Sequence, residues 1–503
     1  MRRGIRWAGA RAGSALLLGS SLLVLGAGRT PGHEPGTGEG NPLAPARIAL
    51  APCHLDGLPE EVLCGRHEVF EDREGRAGRR IELRLAVLPA LRREASPDPL
   101  VLLAGGPGQG AIDLAGAAAR YFREIRQRRE IVLVDLRGTG ESHPLACGPG
   151  ADDLEWLAGA IPPEALRRCL ESVEADVRMY GTAAAMDDLD EIREALGYER
   201  INLWGGSYGT RAALVYARRH PDRVRSVVLD GAAPFGLRLP LHNARGAQRA
   251  FDRLIDDCAA DEACGAAYPR LREAIERLLA RLQAAPARVT LRHPRTGAPW
   301  TISITRDFFA SALRGFLYTP AHAALVPFVV SAADAGDFAP FATLSFETAA
   351  WSVETMSLGL TLSILCSEEV PRIDPVEVDA AVRGTYLGRS EYDAWSAMCR
   401  VWPRGTTPDD ADAPLQSTVP ALILSGDLDP VTPPEWGEAM AIDFPGARHV
   451  VVPGTGHNTT FTGCVPDLIA RFVERGGAEG LDAACVSSLR RPPFVLNAAG
   501  TAP

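Results

Sequence analysis

Short apolar runs separated by helical stretches are the feature of this sequence that most restricts its fold. Runs rich in Ile, Leu and Val occupy residues 81–88, 100–103, 131–134, 201–204 and 224–229. Because they are almost continuously apolar, they are typical of strands buried on both faces of a parallel sheet. Helical patterns lie between them over 183–196, which ends at Gly197, and over 208–219. The order predicts an α/β fold with a mostly parallel central sheet.

The strand pattern is interrupted between residues 235 and 412. Helical periodicity there includes 247–258 and 271–282, with few buried-strand runs. Runs at 419–424 and 450–452, each followed by a helical stretch, then restore the sheet pattern. We therefore predict a core of residues 47–234 and 413–503, with a mostly helical cap, 235–412, inserted between the core halves. An independent second domain is the alternative.

The N-terminus has the pattern of an export signal. Arginines at positions 2, 3, 6 and 11 precede an apolar run over 15–27 that ends in small residues. We predict a signal peptide over 1–30 and a linker over 31–46, and therefore a secreted or periplasmic protein without stable membrane insertion. An uncleaved anchor helix is the alternative, although the run is short for a membrane span. The formal net charge of -10 provides no basic field that would attract nucleic acid.

The chain has 10 cysteines, all downstream of the predicted signal. None forms a CxxC zinc knuckle, so we expect no metal site. An even count favours disulfides in an oxidising compartment, with buried free thiols as the alternative. Connectivity does not follow from sequence alone. Pairing of sequence neighbours would give Cys53–Cys64, Cys147–Cys169, Cys258–Cys264, Cys366–Cys399 and Cys464–Cys485.

The segment 205–209 reads Gly-Gly-Ser-Tyr-Gly, which fits the pattern G-x-S-x-G between a predicted strand and a predicted helix. Glycines on both sides of Ser207 permit a tight turn that exposes its hydroxyl. This setting is typical of the nucleophile elbow of α/β-hydrolases. Ser207 is therefore the candidate nucleophile. A glycine-rich turn without chemistry is the alternative.

A serine nucleophile needs a base and an acid that orients the base, and in this fold the chain order is serine, acid, histidine. His457 follows the predicted strand 450–452, on a loop at the strand's carboxyl end, where the sites of parallel sheets lie. Asp427 and Asp429 both follow the strand 419–424. We favour Asp429, which lies further out on the loop and precedes Pro430. Asp427 is the alternative.

The run 105–108, Gly-Gly-Pro-Gly, is the candidate oxyanion turn because it follows the strand 100–103. Its glycines let backbone N–H groups face the nucleophile. The amides of Gly106 and Tyr208 are the predicted donors. The lysine and Ser/Thr of a phosphate loop are absent from this run, which argues against a nucleotide site. A further turn, 135–142, is expected to support the site structurally.

In combination, the segments 105–108, 135–142 and 205–209 resemble the prolyl iminopeptidase and tripeptidyl aminopeptidase group of α/β-hydrolases. The segment 429–433, with Gly456-His457, is similar to the C-terminal region of the tripeptidyl aminopeptidases. The resemblance covers most of the chain from about residue 50 to residue 485. It implies that Asp429 is the acid.

The resemblance also implies hydrolysis at the free N-terminus of a peptide, releasing proline or a short peptide. In such exopeptidases, acidic side chains near the cap bind the substrate's α-ammonium group, which needs a carboxylate partner once it is desolvated. The counterparts here are Glu368 or Glu369, with two solvated surface glutamates as the alternative. Ala104 departs from the prolyl iminopeptidase pattern, which has histidine before Gly-Gly-Pro-Gly. The requirement for proline therefore stays open.

We thus expect an exported aminopeptidase of the α/β-hydrolase fold with a helical cap, acting through an acyl-enzyme and without metal or cofactor. Ser207 would attack the peptide, His457 would transfer the proton, and Asp429 would orient His457. A carboxylesterase is the alternative enzyme, because the same triad cleaves esters. A non-catalytic binding protein of the same fold is the alternative outside enzymes.

Overall fold

A nine-stranded sheet forms the centre of the computed structural model, which describes residues 47–147, 161–293 and 296–501. The predicted signal peptide and linker lie outside the described residues. The strands are β1 Ala51–Cys53, β2 Val62–Asp72, β3 Ala77–Leu88, β4 Leu100–Leu103, β5 Ile131–Val134, β6 Ile201–Gly206, β7 Val224–Asp230, β10 Ala421–Gly426 and β11 Arg448–Val452. Their order is β1-β2-β3-β5-β4-β6-β7-β10-β11. β1, β2, β3 and β5 pair antiparallel, and from β5 to β11 all neighbours pair parallel.

The central parallel strands are buried on both faces. β4, β5, β6 and β10 are buried along their whole length. In β4, Val101 and Leu103 belong to one apolar cluster, whereas Leu100 and Leu102 belong to another. Because successive side chains of a strand point to opposite faces, apolar layers cover both sides of the sheet. The predicted α/β fold with a mostly parallel sheet is confirmed.

Helices supply these layers. Apolar residues of α4 (Thr182–Leu196) and α5 (Tyr208–Arg219) pack in the cluster of Val101, and those of α17 (Val465–Arg475) pack in the cluster of Leu100. α4 ends as predicted, with Gly197 in the left-handed conformation at φ 85°. The helices of the core are α1 Ala115–Tyr121, α2 Arg123–Arg126, α3 Pro163–Ser172, α4 Thr182–Leu196, α5 Tyr208–Arg219, α16 Pro434–Ala441 and α17 Val465–Arg475.

Between β7 and β10 the described chain adds no strand to the central sheet. It forms a separate two-stranded sheet, β8 Ala287–Arg292 and β9 Pro299–Ile304, and most of its helices share an apolar cluster that includes Phe309 and Phe341. The predicted cap boundaries, 235 and 412, stay a prediction. The helices are α6 Asn243–Ala260, α7 Glu262–Ala267, α8 Leu271–Ala284, α9 Arg306–Phe316, α10 Pro320–Ala323, α11 Val326–Asp334, α12 Ala339–Thr355, α13 Leu358–Ile364, α14 Pro375–Val382 and α15 Ser390–Cys399.

Strands β1, β2, β8 and β9 are absent from the sequence-based prediction. β2 carries the consecutive polar residues Arg66, His67 and Glu68, and β8 alternates half-buried with exposed positions. Neither strand therefore shows the continuous apolar run of a central parallel strand. Each is completed by an antiparallel neighbour close in sequence, and such pairs tolerate a solvent-exposed face.

The cysteines form five disulfides in the pairs expected from sequence order, which are Cys53–Cys64, Cys147–Cys169, Cys258–Cys264, Cys366–Cys399 and Cys464–Cys485. The sequence separation of the paired residues ranges from 6 to 33. In the described part of the chain, no helix combines the length and the hydropathy that a membrane span requires.

Candidate active site

Ser207 lies at the sharp turn where β6 ends and α5 begins. Its backbone has φ 57° and ψ -123°, a combination that L-residues rarely adopt. The turn leaves no room for side chains on its glycines. A Cβ on Gly205 would lie 2.3 Å from the carbonyl oxygen of Gly209, and a Cβ on Gly209 would lie 2.0 Å from the carbonyl oxygen of Leu103. These close approaches hold the serine at the carboxyl edge of the sheet.

Two neighbouring segments contact the Ser207 turn. The Ser207 amide donates a 2.8 Å hydrogen bond to the carbonyl oxygen of Asp230, the last residue of β7. On the other side, a Cβ on Gly105 would lie 3.3 Å from the Cβ of Ser207. The turn that starts at Gly105 therefore faces the candidate nucleophile.

Asp429 follows β10 and is fully buried. Its Oδ1 accepts hydrogen bonds from the amides of Val431 (2.7 Å) and Thr432 (2.9 Å). Its Oδ2 lies 2.8 Å from His457 Nδ1 and accepts from Thr432 Oγ1 at 2.8 Å. Burial acts to raise the pKa of Asp429, but His457 and the two amides hold this pKa below its usual value of 3.8. The ionised carboxylate therefore accepts a hydrogen bond from Nδ1–H of the imidazole.

His457 lies on the loop after β11, with 4% of its side chain exposed. Its amide donates to the carbonyl oxygen of Tyr318 at 2.8 Å, and the two rings meet edge to face with centroids 5.3 Å apart. A Cβ on Gly231 would lie 3.1 Å from His457 Cε1, which places the imidazole over the carboxyl end of β7. The Ser207 amide binds the same strand end. With Nδ1 held by the buried carboxylate, Nε2 is the nitrogen that can take a proton from a hydroxyl.

Asp427, the alternative acid, has different neighbours. Its Oδ2 lies 3.7 Å from Arg253 Nη2, and the described structure contains no hydrogen bond between Asp427 and His457. Burial raises the pKa of the Asp427 carboxyl group. The geometry favours Asp429 as the partner of His457.

The amides of Gly106 and Tyr208 flank the serine as candidate oxyanion donors. Among the described residues, no backbone carbonyl accepts a hydrogen bond from either amide. Gly106 has φ 113°, and Tyr208 is the first residue of α5. The turn is held from the cap side, because Thr361 Oγ1 donates to the carbonyl oxygen of Pro107 at 2.6 Å. Two unpaired N–H groups beside a nucleophile can stabilise a developing negative charge.

Glu369 is buried, with 5% exposure. Its Oε1 lies 2.7 Å from Arg211 Nη1, and its Oε2 accepts from the Leu239 amide at 3.3 Å. Because Arg211 neutralises this carboxylate, Glu369 is poorly suited to bind a second cation.

Glu368, the other candidate for the ammonium group, has a different set of contacts. Its Oε1 accepts from the Thr182 amide and its Oε2 from Thr182 Oγ1, both at 2.7 Å. Thr182 Oγ1 in turn lies 2.7 Å from the Tyr208 hydroxyl. Burial, reinforced by the charge of Glu369, raises the pKa of Glu368. Among the described residues no basic side chain lies within ion-pair distance of Glu368, so its carboxylate can still pair with a cation.

Several residues of the site are absent from the sequence-based prediction: Thr182, Asp230, Tyr318 and Thr432. Asp230 carries a usable signal, because it directly follows the apolar run 224–229 at the carboxyl edge of the sheet. The contacts of Thr182 and Tyr318 join segments more than a hundred residues apart in sequence, and no local pattern reports them.

Comparison with known proteins agrees with this fold. Residues 98–282 match the family model described as alpha/beta hydrolase fold, and residues 387–485 match the model described as TAP-like protein. The serine protease Hip1 of Mycobacterium tuberculosis is 27% identical over 95% of this chain and 97% of its own length. The probable proline iminopeptidase of Streptomyces coelicolor is 36% identical over 27% of this chain and 33% of its own length. The crystal structure of proline iminopeptidase from Mycobacterium smegmatis aligns with a TM-score of 0.41 and 17% identity, over 79% of this chain and 95% of that one.

The sheet, the turn at Ser207 and the matched region 98–282 define the fold class of this protein: the chain has the α/β-hydrolase fold. More particularly, residues 387–485 match the TAP-like model, and the chain resembles the prolyl iminopeptidase and tripeptidyl aminopeptidase group.

Proposed function

We propose that this protein is an exported serine exopeptidase that releases single residues or short peptides from the free N-terminus of a peptide. The observation that carries the proposal is the fully buried Asp429 carboxylate at 2.8 Å from His457 Nδ1, beside the strained turn of Ser207. A buried carboxylate in this position selects the imidazole tautomer whose Nε2 accepts a proton, which is what a serine nucleophile requires.

In the proposed reaction, Ser207 Oγ attacks the carbonyl carbon of the scissile peptide bond as His457 Nε2 takes its proton. The amides of Gly106 and Tyr208 stabilise the oxyanion of the tetrahedral intermediate. His457 then protonates the leaving amine, and the C–N bond breaks to leave an acyl-enzyme. Water, deprotonated by His457, attacks the carbonyl carbon of the ester. The C–O bond to Ser207 then breaks, His457 returns the proton to Ser207 Oγ, and the acid product leaves. Asp429 stabilises the imidazolium in both half-reactions.

The preference for a free N-terminus rests on Glu368. Glu368 is half-buried, has no basic partner among the described residues, and is one threonine hydroxyl away from Tyr208, the neighbour of the nucleophile. A substrate ammonium group would supply the missing positive charge. Glu369 would then act indirectly, as the partner of Arg211. The names of the two relatives, a serine protease and a probable proline iminopeptidase, favour peptide substrates over esters.

Export is part of the proposal. The ten cysteines and the five disulfides of the structure suit an oxidising compartment. We propose that residues 1–30 form the signal peptide and that the mature protein is periplasmic or secreted. N-terminal sequencing of protein from the periplasm and the medium tests this. An intact Met1 on the folded, active protein would contradict it.

Labelling with a fluorophosphonate tests whether Ser207 is a reactive nucleophile, as the proposed hydrolase activity requires. We expect a covalent adduct on Ser207 in the folded protein and none in Ser207→Ala. Folded wild-type protein that forms no adduct would make the chain a non-catalytic binding protein.

A panel of substrates tests whether the protein acts as an exopeptidase that requires a free amine. We expect turnover of alanyl, prolyl or tripeptidyl arylamides with a free amine, and loss of that turnover when the amine is acetylated. Glu368→Gln should raise KM for the free-amine substrates and leave KM for short acyl esters unchanged. If only esters react, and acetylation has no effect, the protein is a carboxylesterase. The products of the arylamide series also give the number of residues released per cut.

A further inference from the structure

The carboxylate of Asp230 binds the loop that carries His457. Asp230 ends β7 and is fully buried. The Thr459 amide donates to both of its carboxylate oxygens at 2.8 Å, and the Thr460 amide donates to Oδ2 at 2.7 Å. Both threonine hydroxyls add further bonds, at 3.1 Å from Thr459 and 2.6 Å from Thr460. These donors follow His457 within three residues of sequence.

A tryptophan fixes the direction of this hydrogen bonding. Trp204 Nε1 donates to Thr460 Oγ1 at 2.9 Å, and an indole nitrogen can only donate. The Thr460 hydroxyl therefore accepts from Trp204 and donates its own hydrogen bond to Asp230. Since each carboxylate oxygen also receives a backbone N–H, the network leaves no acceptor for a proton on Asp230 and suits the ionised form. We call Trp204, Asp230, Thr459 and Thr460 the Asp230 network.

The same residue also contacts the turn of the nucleophile. The carbonyl oxygen of Asp230 accepts the Ser207 amide, and Trp204 lies three residues before Ser207 on β6. The next residue, Gly231, is so close to His457 Cε1 that a Cβ there would lie 3.1 Å away. Asp230 thus binds the serine turn with its backbone and the histidine loop with its side chain.

We propose that Asp230 is a positioning residue for the reaction, which holds the loop of His457 in register with Ser207. This inference rests on the proposed function of Ser207 and His457. It assigns Asp230 no contact with substrate and no proton transfer. Small displacements between a nucleophile and its base lower the rate steeply, because the reacting groups must meet at a defined distance and angle. Loss of the Asp230 carboxylate would leave buried N–H groups of the histidine loop without acceptors and would allow the loop to shift.

The test uses the full chain with Asp230→Asn, an isosteric change that replaces one acceptor oxygen by a donor. We expect kcat for a short acyl ester to fall by about 100-fold, with KM within about 3-fold of the wild type. The rate constant for fluorophosphonate labelling of Ser207 should fall by a similar factor. The control is Asp188→Asn, which changes another fully buried carboxylate, bound to Arg137 and Arg73. We expect it to lower the melting temperature with little change in kcat.

A milder pair keeps the test decisive if Asp230→Asn does not fold. Thr460→Val removes the hydroxyl that links Trp204 to Asp230, and we expect kcat and the labelling rate to fall by about 10-fold. Ser226→Ala is its control. Ser226 Oγ donates to Asn202 Oδ1 at 2.7 Å and joins the same two strands, β6 and β7, near their amino ends.

The outcomes separate the two proposals. A wild-type protein that neither labels nor turns over esters would refute the proposed function, and this inference with it. A reactive wild type, with folded Asp230→Asn or Thr460→Val reacting as fast as the controls, would refute the positioning role alone. A fall in kcat and labelling rate at unchanged KM, confined to the Asp230 network, supports it.

Discussion

The pKa values of two carboxyl groups near the site are shifted in opposite directions, and the partners of each group explain the difference. Asp429 and Asp427 lie two residues apart on one loop. The pKa of Asp429 is lowered because His457 and two amides outweigh its burial, whereas burial raises the pKa of Asp427, whose Oδ2 lies 3.7 Å from Arg253 Nη2. At the residue scale, the hydrogen-bond partner therefore decides which carboxylate can serve the histidine.

The first prediction compares these two aspartates. Asp429→Asn would present an amide to His457 Nδ1 and favour the wrong imidazole tautomer, so we expect kcat at pH 7 to fall by about 10⁴-fold. Asp427→Asn, the matched control, should stay within about 3-fold of the wild type, since it has no contact with His457 in the described structure. Steady-state kinetics on one ester and one arylamide measure both. An equal loss in Asp427→Asn would contradict the assignment.

The second prediction concerns Glu368 and pH. Only the ionised carboxylate can pair with a substrate ammonium group, and burial raises the pKa of Glu368 above its usual value of 4.5. As the pH falls through that raised pKa, Glu368 takes up a proton and KM for a free-amine arylamide should rise. KM for an ester without an amine should stay flat over the same range. In Glu368→Gln the rise should disappear, and a wild-type KM independent of pH would argue against ammonium binding.

At this scale, sequence and structure differ in what they can establish. The candidates Ser207, Asp429 and His457 could be selected from the sequence because each follows an apolar run within five residues, at the edge where sites of parallel sheets lie. The structure adds the short distance between Asp429 and His457, while their catalytic roles stay predictions. The pairing of Glu369 with Arg211 could not be predicted, because those residues are 158 positions apart.

At the scale of secondary-structure elements, the site depends on how tightly α5 approaches β4. Gly209, in the first turn of α5, packs against the end of β4. This contact places the Ser207 turn beside the candidate oxyanion turn, which follows the same strand. A helix displaced from β4 would separate the nucleophile from the Gly106 amide.

The third prediction tests that contact. In Gly209→Ala the new Cβ would lie 2.0 Å from the Leu103 carbonyl oxygen, so the helix must move. We expect the free energy of unfolding to fall by about 3 kcal/mol and fluorophosphonate labelling to slow. Gly315→Ala, within α9, is the control, because no atom lies within 4 Å of its Cβ. It should raise the free energy of unfolding by about 0.5 kcal/mol. Urea denaturation measures both, and equal effects would contradict the packing argument.

The sequence predicted the buried strands and helices and missed strands that are partly exposed. The central parallel strands are confirmed, and their runs are almost continuously apolar. Helices α4 and α5 are confirmed as well, and their apolar residues follow the helical period. β2 and the pair β8–β9 are missing from the sequence-based prediction. Half of the positions of β8 and β9 are exposed, β2 carries the polar residues 66–68, and the pairing partner supplies the stability. Pairing with a neighbouring strand has no signature within such a short segment.

At the scale of the whole molecule, one disulfide links the proposed amine-binding segment to the core. Cys366 lies two residues before Glu368 and is bonded to Cys399, the last residue of α15. Both cysteines are buried in the apolar cluster that also contains Val101 of the central sheet. The disulfide therefore limits the movement of Glu368 relative to the sheet that carries Ser207.

The last prediction follows from that linkage. Replacing Cys366 and Cys399 by alanine removes a bond between residues 33 positions apart, and loop-closure entropy gives a loss of about 4 kcal/mol in the free energy of unfolding. We also expect KM for free-amine arylamides to rise several-fold, because Glu368 is less firmly held, while KM for esters stays unchanged. Replacing Cys258 and Cys264, 6 positions apart within the cap, should lower stability by about 2 kcal/mol and leave both KM values unchanged. If both double variants change KM for arylamides and esters alike, the disulfide stabilises the fold without positioning Glu368.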